Sequence, residues 1–107
     1  MFFFEGDFVA REKLIRHRIP WLAEAKGETM RTRISADNER DALLKDKLLE
    51  EVAEFLGNPS IDELIDVEEV VRALRERLGP EEFDRAAADK YRECGGLYQG
   101  VVLILED

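Results

Sequence analysis

Leu48-Leu49-Glu50-Glu51-Val52-Ala53-Glu54-Phe55-Leu56-Gly57-Asn58-Pro59-Ser60-Ile61-Asp62-Glu63-Leu64-Ile65-Asp66-Val67 holds two apolar-periodic segments divided by a turn. Gly57-Asn58-Pro59 breaks the first segment, and Ser60 is a good N-cap for the second. Both segments carry acids where a soluble helix normally carries aliphatic side chains. At about 100° per residue, Leu44, Leu48, Val52 and Phe55 fall within about 100° of Glu51, on one side of it. Glu51 therefore lies inside the apolar stripe, Glu54 on its border, and Glu50 further toward solvent. On the next helix Val67, Val70, Val71, Leu74 and Leu78 surround the direction of Glu63 in the same way, with Asp66 on the border.

The turn makes this arrangement a pair. Glu54 and Glu63 are equally distant in sequence from the Asn58–Pro59 centre, and so are Glu51 and Asp66. In an antiparallel hairpin with axes roughly 8–10 Å apart, residues equidistant from the turn sit at similar heights. The four carboxylates then converge. Buried acids must be protonated, paired or bound to a cation, and four together repel strongly without one. An all-oxygen donor set suits Mg²⁺ or Mn²⁺ better than zinc, and Mg²⁺ commonly bridges to substrate phosphates. Simpler roles exist for each residue. Ser60-x-x-Glu63 is a capping box, Asp66 complements the helix dipole, and Glu50, Glu51 and Glu54 form a face that pairs with Lys47.

Outward from the hairpin, the punctuation predicts the other elements. Asp37 or Asn38 caps a first long helix ending near Leu56, the second runs from Ser60 to about Leu78, and a third from Pro80 or Glu81 to about Glu93. A short helix over about 20–26 starts at Pro20 and stops at Gly27. Residues 29–34 alternate enough for a short strand, and the apolar run 101–105 reads as a buried one. The expected fold is mainly α: a helical hairpin, a third helix and a small two-stranded β element, in a single domain spanning residues 1–107.

Composition removes several function classes. The net charge of −9 argues against a nucleic-acid polymer as partner, because neutralising phosphates needs a basic surface. It argues equally against anionic lipid. No apolar run approaches the roughly 20 residues of a membrane helix, and the Phe2-Phe3-Phe4 start meets Glu5 and Asp7 too soon for a signal peptide. The lone Cys94 excludes an internal disulfide. A cytoplasmic protein is expected.

The segments Leu48–Phe55 and Glu63–Val67 resemble the paired acidic motif of the MazG-like nucleotide pyrophosphatases. The chain is more closely similar to their phosphoribosyl-ATP pyrophosphohydrolase-like branch. That branch opens with a Lys-Leu-Val-Arg-Asp-Lys-Ile-Pro segment, here Lys13-Leu14-Ile15-Arg16-His17-Arg18-Ile19-Pro20. It closes with Arg-Gly-Gly-Phe-x-x-Gly, here Cys94-Gly95-Gly96-Leu97-Tyr98-Gln99-Gly100. The likeness covers about residues 13–105 in the same order. His17, Cys94 and Leu97 depart from the pattern, in place of Asp, Arg and Phe.

The resemblance implies an all-α, Mg²⁺-dependent enzyme (Mn²⁺ serving as well) that hydrolyses a nucleoside triphosphate or related nucleotide to monophosphate and pyrophosphate, including removal of non-standard nucleotides. Glu51, Glu54, Glu63 and Asp66 would hold one or two metal ions, with Glu50 in an outer position. Glu51 or Glu54 would position or deprotonate the attacking water. Lys90 is the first candidate for phosphate binding, followed by Arg16, Arg18 and Arg92. Trp21 either stacks a base or packs the short helix, and packing is the expectation. A homo-oligomer, dimer or tetramer, is implied. The alternative is a catalytically inactive acidic helical module that binds a protein partner.

Overall fold

Four helices form along the described residues of the computed structural model, which are 12–106: α1 (Ile19–Ala25), α2 (Asp37–Gly57), α3 (Ile61–Leu78) and α4 (Pro80–Cys94). The helix limits lie within a residue or so of those read from the caps, because each end has a local cause. At the end of α1, Gly27 takes φ +85°, and the N–H groups of Gly27 and Glu28 donate to the carbonyls of Glu24 and Ala23, both at 3.0 Å. This is a Schellman closure. It turns the chain back alongside α1. At α3, the Ser60 hydroxyl accepts the Glu63 N–H at 3.2 Å, as expected of an N-cap.

The start of α2 corrects the expectation that Asp37 or Asn38 caps it. The cap is Ala36, and Asp37 is already helical. An alanine has no oxygen to offer, so the helix is closed from the other direction. The Glu39 carboxylate accepts the Ala36 N–H at 2.8 Å, and Arg33 holds that carboxylate at 2.7 Å. Arg33 also binds Glu12 at 2.8 Å. Together these contacts lower the Glu39 pKa to about 2, the Arg33 hydrogen bond first and the Ala36 N–H second.

The chain divides into two compact units, Met1–Leu74 and Arg75–Asp107. In the first, burial centres on Ala23 of α1, Leu44 and Glu51 of α2, and Val70 of α3. Three of these are small or medium aliphatic residues and the fourth is a carboxylic acid. In the second, Arg75 bonds Asp84, with Nε to Oδ1 at 2.9 Å, so the end of α3 is tied to the first turns of α4. Gly79, at φ +119°, makes the turn between them, and its carbonyl accepts the Phe83 N–H at 2.8 Å. No residue of α4 is buried.

The β element is not observed. Among the described residues there is no strand, and both 29–34 and 101–105 are without regular structure. Strand-forming side chains yield a strand only where a second backbone accepts the ladder hydrogen bonds. The run 101–105, expected to be buried, is exposed, from 76% at Ile104 to 91% at Val101. The Phe2-Phe3-Phe4 segment lies outside the described residues. No helix among them is long and apolar enough to cross a membrane.

Candidate metal centre

The α2–α3 hairpin brings Glu51, Glu63 and Asp66 together. One carboxylate oxygen from each lies within 4.8 Å of the others. The apolar stripes explain why: Glu51 lies on the same face of α2 as the buried Leu44, and Glu63 and Asp66 lie on the same side of α3 as the buried Val70. Glu51 is 6% exposed, more enclosed than any other acid described. Glu63 and Asp66 are half-buried.

The hydrogen bonding of this trio is incomplete. Lys47, one turn earlier on α2, reaches Glu51 Oε2 at 3.0 Å and Glu50 Oε1 at 3.2 Å. Lys13 reaches the other Glu50 oxygen at 2.8 Å. Arg16 donates to Asp66 Oδ1 at 2.9 Å. Glu51 Oε1 and Glu63 Oε1, however, are buried and have no partner. An unsatisfied buried acceptor costs about 1–3 kcal/mol, more when it is charged. A hard divalent cation would satisfy both oxygens and the adjoining Asp66 carboxylate, so the donor set fits Mg²⁺ or Mn²⁺.

Glu50 and Glu54 flank the trio in different states. Burial pushes the Glu50 carboxyl upward, but Lys13 and Lys47 outweigh it and hold it below the usual range. Lys13 is pushed up in turn, chiefly by that hydrogen bond. Glu54 is exposed and stands outside the three-residue cluster. Its carboxyl is pushed up, first by partial loss of solvent and then by the negative charges of Glu51, Glu50 and Glu63.

The basic candidates are placed unequally. Arg16 belongs to the cluster through Asp66. Arg18 is exposed at the N-cap of α1, where its carbonyl accepts the Leu22 N–H. Lys90 and Arg92 are exposed on α4 in the second unit, and Arg92 pairs with Asp89 at 2.8 Å. Lys13 and Lys47 had no place among the candidates for the site. The i,i+3 and i,i+4 spacing of Lys47 to Glu50 and Glu51 is a signal for the latter. Nothing in the 37-residue separation of Lys13 and Glu50 signals the former. Trp21 does not pack α1 as expected: it is 66% exposed. It lines an open cleft of about 300 Å³ with His17, Glu24, Glu28 and Met30. Cys94, the last residue of α4, is exposed and free. No known protein family, curated protein or solved structure matches this chain.

Proposed function

We propose that the chain is a divalent-metal-dependent nucleotide pyrophosphohydrolase of the MazG-like kind. Water would attack the α-phosphorus of a nucleoside triphosphate or related nucleotide, the bond from that phosphorus to the bridging oxygen would break, and monophosphate and pyrophosphate would leave. The observation that carries this reading is the pair of buried, unpartnered oxygens, Glu51 Oε1 and Glu63 Oε1, beside Asp66. A solvated acidic face built only for a protein partner has no need to bury acceptors without donors.

Glu51, Glu63 and Asp66 would hold the ion. Bound Mg²⁺ supplies charge neutralisation on the phosphate oxygens. Glu54, exposed beside the trio, would take the role of base toward the attacking water. Glu50 stays outside the coordination sphere, held by two lysines. Lys47 holds Glu51 Oε2 and would steady that carboxylate beside the ion. Arg16, which holds Asp66 Oδ1, would be the cation at the cluster available to donate to a substrate phosphate oxygen.

The test is pyrophosphate release from a panel of nucleoside triphosphates with Mg²⁺ or Mn²⁺. Release from at least one, abolished by chelator, is the expected result. No turnover with any nucleotide, together with no thermal stabilisation by either metal, would favour the second reading, an interaction module. The observation on its side is the exposed apolar run 101–105.

A further inference from the structure

In the second unit, α4 is an amphipathic helix whose apolar stripe is left uncovered. With Ala87 set to zero and about 100° per residue, Pro80, Phe83, Tyr91 and Cys94 all fall within about 40° of it. Asp84 and Lys90 lie near about 60° on opposite flanks, and the other charges of the helix point about 120° or more away. Such a stripe normally faces a core. Here Phe83 is 40% and Tyr91 68% exposed, and Ala87 and Cys94 are exposed as well. Tyr91 is nonetheless backed: a Cβ on Gly96 would stand 3.0 Å from its ring Cε1, so the glycine lets the chain beyond α4 lie against the ring.

The order of side chains says what covers the stripe. Counted outward from Ala87, α4 sets Ala86 against Ala88, Arg85 against Asp89, Asp84 against Lys90, Phe83 against Tyr91 and Glu82 against Arg92. Alanine meets alanine, aromatic meets aromatic, and each of these charges meets its opposite. Only Glu81 and Glu93 are charged alike. A surface that complements itself when reversed end to end is what a twofold axis demands of an interface. In an antiparallel pair of such helices, equidistant residues share a height. A parallel pair would set every charge level with its own kind and align the two helix dipoles.

We infer that two copies of the chain pair through α4, antiparallel and centred on Ala87. The small side chain at the centre lets the axes approach to roughly 8–10 Å, and the twofold axis keeps each flank on its own side. Tyr91 then stands beside Asp84 of the second copy, where the phenol O–H donates to the carboxylate. On the other flank Lys90 meets the ring of Phe83 of the second copy. Asp84 is already fixed by Arg75, with Nε to Oδ1 at 2.9 Å and a further bond to Oδ2, and its oxygens keep lone pairs for the phenol. The pairing stands apart from the nucleotide reading, since Glu51, Glu63 and Asp66 lie on α2 and α3.

Sedimentation velocity of the full chain tests the pairing, and the sole cysteine tests its direction. At about 100 μM the chain should sediment at twice its mass of 12.4 kDa. Ala87→Arg places a good helix former at an exposed position, so helicity by circular dichroism should hold while dimer affinity falls at least about 100-fold. In an antiparallel pair the two Cys94 residues lie about 20 Å apart along the axis, whereas the two Ala87 Cα atoms come to about 5 Å, within disulfide reach. Diamide should therefore leave the unaltered chain without a disulfide-linked dimer and should link Ala87→Cys made in a Cys94→Ser chain. A monomer at that concentration would overturn the pairing. So would a dimer indifferent to Ala87→Arg, or one lost instead with Leu103→Asp, which would move the interface to the apolar run 101–105. A rapid link through Cys94 in the unaltered chain, with none through position 87, would overturn the antiparallel direction.

Discussion

Two groups of acids in the first unit differ in one respect. Around Arg33, Glu12 is exposed and Glu39 half-buried, and the guanidinium reaches both carboxylates. Between α2 and α3, Glu51, Glu63 and Asp66 are buried or half-buried, and two oxygens face no donor at all. The first group closes a helix end and links it to the preceding chain. The second leaves Glu51 Oε1 and Glu63 Oε1 buried without a donor. Acid count does not separate the two, and neither does net charge. Satisfaction of individual oxygens does.

The largest expected effect breaks the comparison at its centre. Glu51→Gln should lower Mn²⁺ affinity and turnover by at least about 100-fold in protein that remains folded. Glu39→Gln should leave both unchanged. Loss of metal binding in the second variant, or its retention in the first, would show that the two groups are not different in kind.

Next is Lys47→Met. It removes the cation that holds Glu50 and Glu51 when metal is absent, and should destabilise the metal-free protein by ~1–3 kcal/mol. Added Mn²⁺ should restore most of that loss, so the metal-induced rise in Tm should exceed the rise in the unaltered chain. An equal rise in both would separate Lys47 from the cluster.

The Arg33 group makes a smaller, pH-dependent prediction. Glu39 has its pKa lowered from 4.5 to about 2. A carboxyl whose pKa is lowered by folding contributes stability above its unfolded value and loses it as pH falls through the folded one. Denaturant unfolding should therefore show the unaltered chain losing its advantage over Glu39→Gln between about pH 4.5 and 2. A constant difference across that range would remove Arg33 from the cause. Smallest is Ser60→Ala, which loses the α3 cap and about 1 kcal/mol. Its Mn²⁺ affinity should be unaltered, since the Ser60 hydroxyl holds the Glu63 backbone N–H and not its carboxylate.

Helix limits were legible because glycine, proline and serine act within a turn of where they stand. Gly27, Gly57 and Ser60 each end or start a helix as their chemistry requires. Glu51, Glu63 and Asp66 were legible through helical phase and distance from the turn. Glu54 was only half legible: its phase placed it on the border, and the structure leaves it on the rim. The failures were contacts between distant segments. Lys13 meets Glu50 and Arg16 meets Asp66 across 37 and 50 residues, and no periodicity encodes such a meeting. The runs 29–34 and 101–105 carry strand-like side chains, but a ladder needs a partner that their own residues do not specify. Ala36 shows the reverse case, a poor cap made adequate by Glu39 three residues on.

The central claim is that Glu51, Glu63 and Asp66 form a divalent-cation site, and electron paramagnetic resonance of free Mn²⁺ tests it most directly. Titrating metal-free protein should deplete the free-ion signal saturably, and the Glu51→Gln, Glu63→Gln double variant should leave that signal at its protein-free level. Depletion of equal strength by both proteins, or none by the unaltered chain, would contradict the site.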